Sequence, residues 1–191
     1  RRYGKSALVI LALISTYRIA DIILGVMANV FYVDLGFEKQ EIGRISKGFG
    51  LIMTLLGGFM GGALAVRYGV MKVLMIGAIL AAASNLLFAL LASIGNDITA
   101  LIVVISADNL SSGIASVAFV AYLSSLTSTS FTASQYALFS SIMVLLPKIL
   151  AGYSGVMLES VGYEIFFIAT AAMGVPVLAL IYLVAKQDQG A

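Results

Sequence analysis

A chain of 191 residues that is 61% hydrophobic and only 10% charged cannot cover itself with polar surface, since soluble domains carry about a quarter charged residues. With a mean hydropathy of +1.08, its solvent is lipid. Cys and His are both absent and the net charge is +2, which excludes disulfides, thiolate or imidazole metal sites and Ser-His-Asp or Cys-His catalysis, and leaves any proton-coupled step to carboxylates.

Six apolar spans follow one another, over about residues 7–33, 42–66, 70–92, 98–123, 133–158 and 163–185. Each has at least about 20 residues, enough for an α-helix to cross a hydrocarbon core of about 30 Å, where backbone groups must bond within their own segment. The chain is expected to be all-α, a single six-helix transmembrane bundle over 1–191. The first span is too long for a signal-peptide core and has no obvious cleavage site, so it is expected to remain. The missing initiator Met reads as the mark of a fragment. Short connections carry turn chemistry: "DLGFEKQE", "RYG", "IGND", "TSTSFTAS" and "ESVGYE".

The first span holds "YRIAD", with Arg18 and Asp21 one helical turn apart. Arg18 lies about 11 residues in, roughly 16 Å deep. A lone charge at that depth costs about 3 kcal/mol on insertion scales, so the two are expected to pair and to face a wet interior. The competing reading is a static ion pair that fixes helix rotation. In the second span, Arg44 and Lys47 form a cationic pair near the outer end, either a rim for an anionic solute or two snorkelling side chains. "GGFMGG", 57–62, has two overlapping GxxxG spacings, which let a neighbouring helix approach closely. The third span contributes Asn85, expected to be mainly structural. The fourth carries Asp108 and Asn109 about 10 residues in, near the midplane, as site residues or as glue between helices. The fifth carries Lys148 directly after Pro147, where a helix loses a hydrogen bond and bends.

Charge assigns the two sides. Arg1, Arg2, Lys5, Arg67, Lys72 and Lys186 share one side with a single acid, Asp188. Asp34, Glu38, Glu41, Asp97, Glu159 and Glu164 occupy the other, with Lys39. The Lys/Arg excess puts both ends of the chain in the cytoplasm.

The spans also repeat. The first and fourth, and the second and fifth, are offset by about 91 residues. "FEKQEI" at 37–42 parallels "FTASQY" at 131–136, where Thr132 and Gln135 form a capping box and Phe131 and Tyr136 a staple. Three helices repeated after an odd number of crossings are inverted, so a 3+3 inverted repeat is expected, with its site at the repeat interface. The offset pairs Arg18 with Asn109.

The stretches "YRIAD…LGVMANVFYVDLGFEKQEIG", "SNLLFALLAS" and above all "AFVAYLSSLTSTSFTASQYALFSS" resemble the AmpG-type muropeptide permeases, a branch of the major facilitator superfamily. The resemblance covers nearly the whole chain, aligns it with a C-terminal six-helix half, and is most specific over 118–141. "GGALAVRYGVMK" is similar to the superfamily's loop motif through Gly62, Arg67, Gly69 and Lys72, but Val66 stands where the acid belongs. An ion-pair latch at this loop is therefore not expected.

The resemblance implies a membrane transporter and not an enzyme. It would import anhydro-muropeptides across the bacterial inner membrane with protons as coupling ion and no other cofactor. Its expected partners are the bilayer and an N-terminal six-helix half, with no nucleic acid. Tyr17, Arg18, Asn85, Asn109 and Lys148 are then candidate substrate contacts. Asp21 and Asp108 are candidates for the proton, without a choice between them. The Arg18–Asp21 pair would break and re-form as the halves rock. Two other readings stay open: a same-fold transporter of another solute, such as a drug or an acyl-CoA, and a non-transporting sensor or truncated remnant.

Overall fold

A computed structural model of the chain describes residues 6–127 and 132–189. Among these residues all regular structure is helical, and six helical stretches are long and apolar enough to cross a membrane. Arg1, Arg2, Lys5 and Phe131 lie outside the described residues, as do the side chains of Thr132 and Asp188. The charge assignment at the chain's start and the cap expected at 131–136 fall there.

The first span is two helices, α1 (Ser6–Thr16) and α2 (Ile19–Asp34), broken at Tyr17 and Arg18. Neither Gly nor Pro sits at the break. Instead the hydroxyls of Ser15 and Thr16 donate back to the carbonyls of Leu11 and Ala12, each at 2.7 Å. Such back-bonding competes with the helix ladder and often accompanies a bend. Arg18 itself takes φ −96°, ψ 7°, the sparsely populated bridge region.

The second span is α3 (Lys39–Ile45), a π-helical turn at Ser46–Gly50, then α4 (Leu51–Tyr68). At its start the Glu38 backbone N–H donates to Glu41 Oε2 at 3.0 Å. The third and fourth spans, α5 (Val70–Ile94) and α6 (Ile98–Leu126), are continuous. Asp97 caps α6 by accepting the Ala100 N–H at 2.7 Å.

Helix α7 (Thr132–Ala151) runs through Pro147. The break comes later, at Gly152 and Tyr153, before α8 (Ser154–Ala172). Gly162, at φ 78°, ψ 169°, then divides α8 into two arms. Ala151 and Met157 before Gly162 pack in the same cluster as Phe166 and Phe167 after it, so the chain reverses there. Helix α9 (Gly174–Gln189) follows a break at Met173. Pro176 causes that break: it has no N–H to offer the Ala172 carbonyl and its ring crowds that oxygen. Gly36, Gly69 and Gly95 join Gly162 in the left-handed region, which L side chains avoid. Each ends one crossing.

Two apolar clusters hold the bundle. One gathers Leu13, Ile14, Tyr17, Leu74, Phe119, Tyr122 and Ile181 at the end where α1 begins. The other gathers Phe31, Tyr32, Phe88, Leu101, Phe166 and Phe167 at the opposite end. In lipid such contacts act by close packing, because hydrocarbon surrounds the separated helices too. Ring pairs such as Phe31 with Phe167, 4.8 Å apart and 70° inclined, supply it.

The tightest crossing is α4 on α6. A Cβ on Gly57 would strike the Leu110 carbonyl, and one on Gly61 would lie 2.9 Å from Ile114 Cα. A Cβ on Gly113 would strike the Thr54 carbonyl. The small-residue spacing in "GGFMGG" is thus a packing surface.

Candidate functional site

The break in the first span puts a helix N-terminus inside the membrane, and the charges gather around it. Arg18 Nε lies 3.3 Å from Asp21 Oδ2, with the two side chains 23% and 14% exposed. Arg18 Nη1 also donates to Ser116 Oγ of α6 at 2.5 Å. Asp21 occupies the first turn of α2, where the positive end of the helix dipole favours a carboxylate by about 0.3–1 kcal/mol, more when partly buried. The pair and the helix end together offset what either charge alone would cost in hydrocarbon.

Asp108 joins them from α6. Its Oδ1 accepts the Ser84 hydroxyl of α5 at 3.3 Å, and its charge acts on those of Asp21 and Arg18. With Arg18 paired to Asp21 and Asp108 bonded to Ser84, the three ionised groups sum to a formal charge of −1, which a single proton would cancel. All three side chains are partly exposed. Among the described residues no three acidic side chains converge as metal ligands.

Other expected site residues lie elsewhere. Asn109 turns towards α4. Thr54 Oγ1 sits 2.9 Å from both Asn109 Oδ1 and the Gly50 carbonyl, and Asn109 Nδ2 donates to Ile105 O at 2.8 Å. Arg18 therefore bonds Ser116 rather than its repeat partner. Tyr17 is buried: its ring stacks on Phe119 at 4.5 Å and 8°, and its hydroxyl donates to the Leu74 carbonyl at 3.2 Å. Asn85 is fully buried and donates to Thr170 Oγ1 at 3.3 Å, with no partner for Oδ1 among the described residues. Neither Tyr17 nor Asn85 offers a surface to a solute in this conformation.

Arg44, Lys47 and Lys148 are exposed, the first two on α3 and the π turn. In the loop after α4, the Arg67 guanidinium lies over the Tyr68 ring at 5.4 Å. Gly69 takes φ +88°, Lys72 is exposed in the first turn of α5, and a Cβ on Gly62 would meet Val117 at 3.9 Å, an ordinary contact.

Ser84 and Ser116 were not singled out in the sequence. Ser116 lies eight residues, about two turns, beyond Asp108, so helical period alone places both on one face. Ser84 is next to Asn85, one residue round the helix, and nothing in the sequence separates their roles.

The family model described as Major Facilitator Superfamily matches residues 9–190. The chain belongs to the Major Facilitator Superfamily. It is similar to "Putative transporter AmpG 4" of Rickettsia conorii, 34% identical over 181 residues, covering 94% of this chain and 44% of that protein. It is also similar to "Putative transporter AmpG 3" of Rickettsia typhi, 32% identical over 183 residues, covering 96% and 44%, and to "Putative transporter AmpG 1" of Rickettsia bellii, 29% over 188 residues, covering 97% and 46%. The AmpG-type resemblance thus holds along this superfamily chain, a multi-pass membrane protein. It spans less than half the length of these relatives.

Proposed function

We propose that the chain is the C-terminal six-helix bundle of a proton-coupled transporter, in the bacterial inner membrane with both ends cytoplasmic, that imports anhydro-muropeptides. The observation that carries this reading is the partly open set of Arg18, Asp21 and Asp108 at a helix break in mid-membrane. Ionisable groups at that depth mark solute or proton pathways, and broken helices are a device of transporter sites. Arg18 is the substrate contact, its guanidinium suited to the carboxylates of a muropeptide, with exposed Lys148 a second cation. Asp21 and Asp108 share one proton, since gaining it neutralises the set. Binding of the solute carboxylate to Arg18 would free Asp21 from its partner. An N-terminal half completes the path.

The test is uptake of labelled anhydro-muropeptide into right-side-out vesicles holding the intact parent protein, with and without an imposed inward proton gradient. Gradient-driven uptake that survives in neither Asp108→Asn nor Asp21→Asn supports the assignment. Uptake by both variants with undiminished dependence on the gradient refutes the coupling role. No uptake above empty vesicles, with the protein folded and inserted, removes the substrate and turns attention to other anionic solutes.

A further inference from the structure

We propose that the groove between α5 and α9, at the membrane face that carries Arg67, Lys72 and Lys186, is a binding site for an anionic phospholipid. The groove has a volume of about 440 Å³ and is walled by Tyr68, Met71, Lys72, Met75, Ile181 and Tyr182. Three observations select the occupant. The walls are apolar with two exposed tyrosines, Tyr68 and Tyr182 at 47% and 62%, the residue type enriched at a membrane–water interface. One cation, Lys72, lines the groove, and two more lie on the same membrane face, Arg67 next to Tyr68 and Lys186 next to Ala185 of the wall. Among the described residues no carboxylate pairs with any of the three; the acid two residues past Lys186, Asp188, has no described side chain.

The third observation is the start of α5. Its N-cap, Gly69, supplies no side-chain acceptor, so the positive end of a 25-residue helix adds to the three cations. An acyl chain suits the thioether and aliphatic floor, and a phosphate suits the mouth. Basic pockets between transmembrane helices at one leaflet favour acidic headgroups in this way. The groove between α5 and α6 at the opposite end is the natural contrast. It is similarly apolar, about 380 Å³, with Asp97 and no base in its walls, so it has no means of selecting an anion.

The experiment reconstitutes the intact parent protein in phosphatidylcholine nanodiscs doped with phosphatidylglycerol bearing a photoreactive acyl tail. Labelled peptides are mapped and quantified. Label should concentrate on residues 68–75 and 181–185, and unlabelled phosphatidylglycerol should compete for it while phosphatidylcholine does not. Lys72→Gln and Lys186→Gln should each lower occupancy about five-fold, and the double variant about 25-fold. Label in the α5–α6 groove should not change, which reports that the variants are inserted and folded.

A phosphatidylcholine probe that labels the α5–α9 groove as strongly would overturn the proposal, as would undiminished labelling of the double variant. Competition by glycerophosphoglycerol, which lacks acyl chains, would make this a site for a soluble phosphate and overturn it equally. If the double variant lost label in both grooves, the comparison of the two probes on the unaltered chain would decide alone.

Discussion

Two adjacent glycines should respond to the same methyl group with opposite signs. A Cβ on Gly57 meets the Leu110 carbonyl oxygen, with Leu110 C at 3.0 Å and Gly113 Cα at 3.2 Å. All are backbone atoms of α6, which no rotamer change can move. A Cβ on Gly58 meets only the Val117 Cγ2 at 3.6 Å, ordinary van der Waals contact. Replacing Gly by Ala inside a helix gains up to about 1 kcal/mol of propensity in either case. Overpacking costs about 1–3 kcal/mol, nearer the upper end where backbone must shift. Gly57→Ala should therefore lose about 1–2 kcal/mol, while Gly58→Ala should be neutral or gain up to about 1 kcal/mol. Thermal unfolding of the full chain in one detergent would read the difference as several degrees in Tm. Equal Tm values, or a lower one for Gly58→Ala, would refute the account of the α4–α6 crossing.

Arg18→Gln alone leaves Asp21 without its cation and should cost about 1–3 kcal/mol, while adding Asp21→Asn should restore part of the loss; a double-mutant cycle in thermal stability with zero coupling would refute the pair's role. Tyr17→Phe keeps the stack on Phe119 and should cost about 0.5–1.5 kcal/mol, whereas Tyr17→Ala should cost about 3–5 kcal/mol; both are read from Tm, and a changed uptake KM in Tyr17→Phe would contradict its buried placement. Asn85→Leu removes a buried amide with an unpaired oxygen and should be neutral or stabilising by about 1 kcal/mol. A loss of stability instead would mean that the bond to Thr170 outweighs the unpaired oxygen.

The crossings were legible because lipid leaves the backbone no alternative to helix, and because Gly36, Gly69, Gly95 and Gly162 mark turns that other residues resist. The depth of Arg18, Asp21 and Asp108 was legible for the same reason: counting residues along a helix measures distance. Their partners were not. Whether Asn109 or Ser116 meets Arg18 depends on the rotation and level of α6 against the first span, and packing sets both. The break at Tyr17 and Arg18 was hidden too. Ser15 and Thr16 bond back to carbonyls, but so does Ser111, at 2.8 Å to Ala107, and α6 runs on unbroken. The π turn lies in "SKGFG", where Gly48 and Gly50 weaken the helix without saying how it will yield.

The two apolar clusters share no residue, and the charged side chains lie between them. Leu13 and Ile14 anchor α1 in one cluster, and Ile23 and Leu24 anchor α2 in the other. The two clusters are therefore separate packing units, joined by α5 and α6, which run unbroken through both. Loss of a side chain in one need not loosen the other. Truncations such as Leu13→Ala and Phe166→Ala should sum in their effects, as they do for sites without common neighbours.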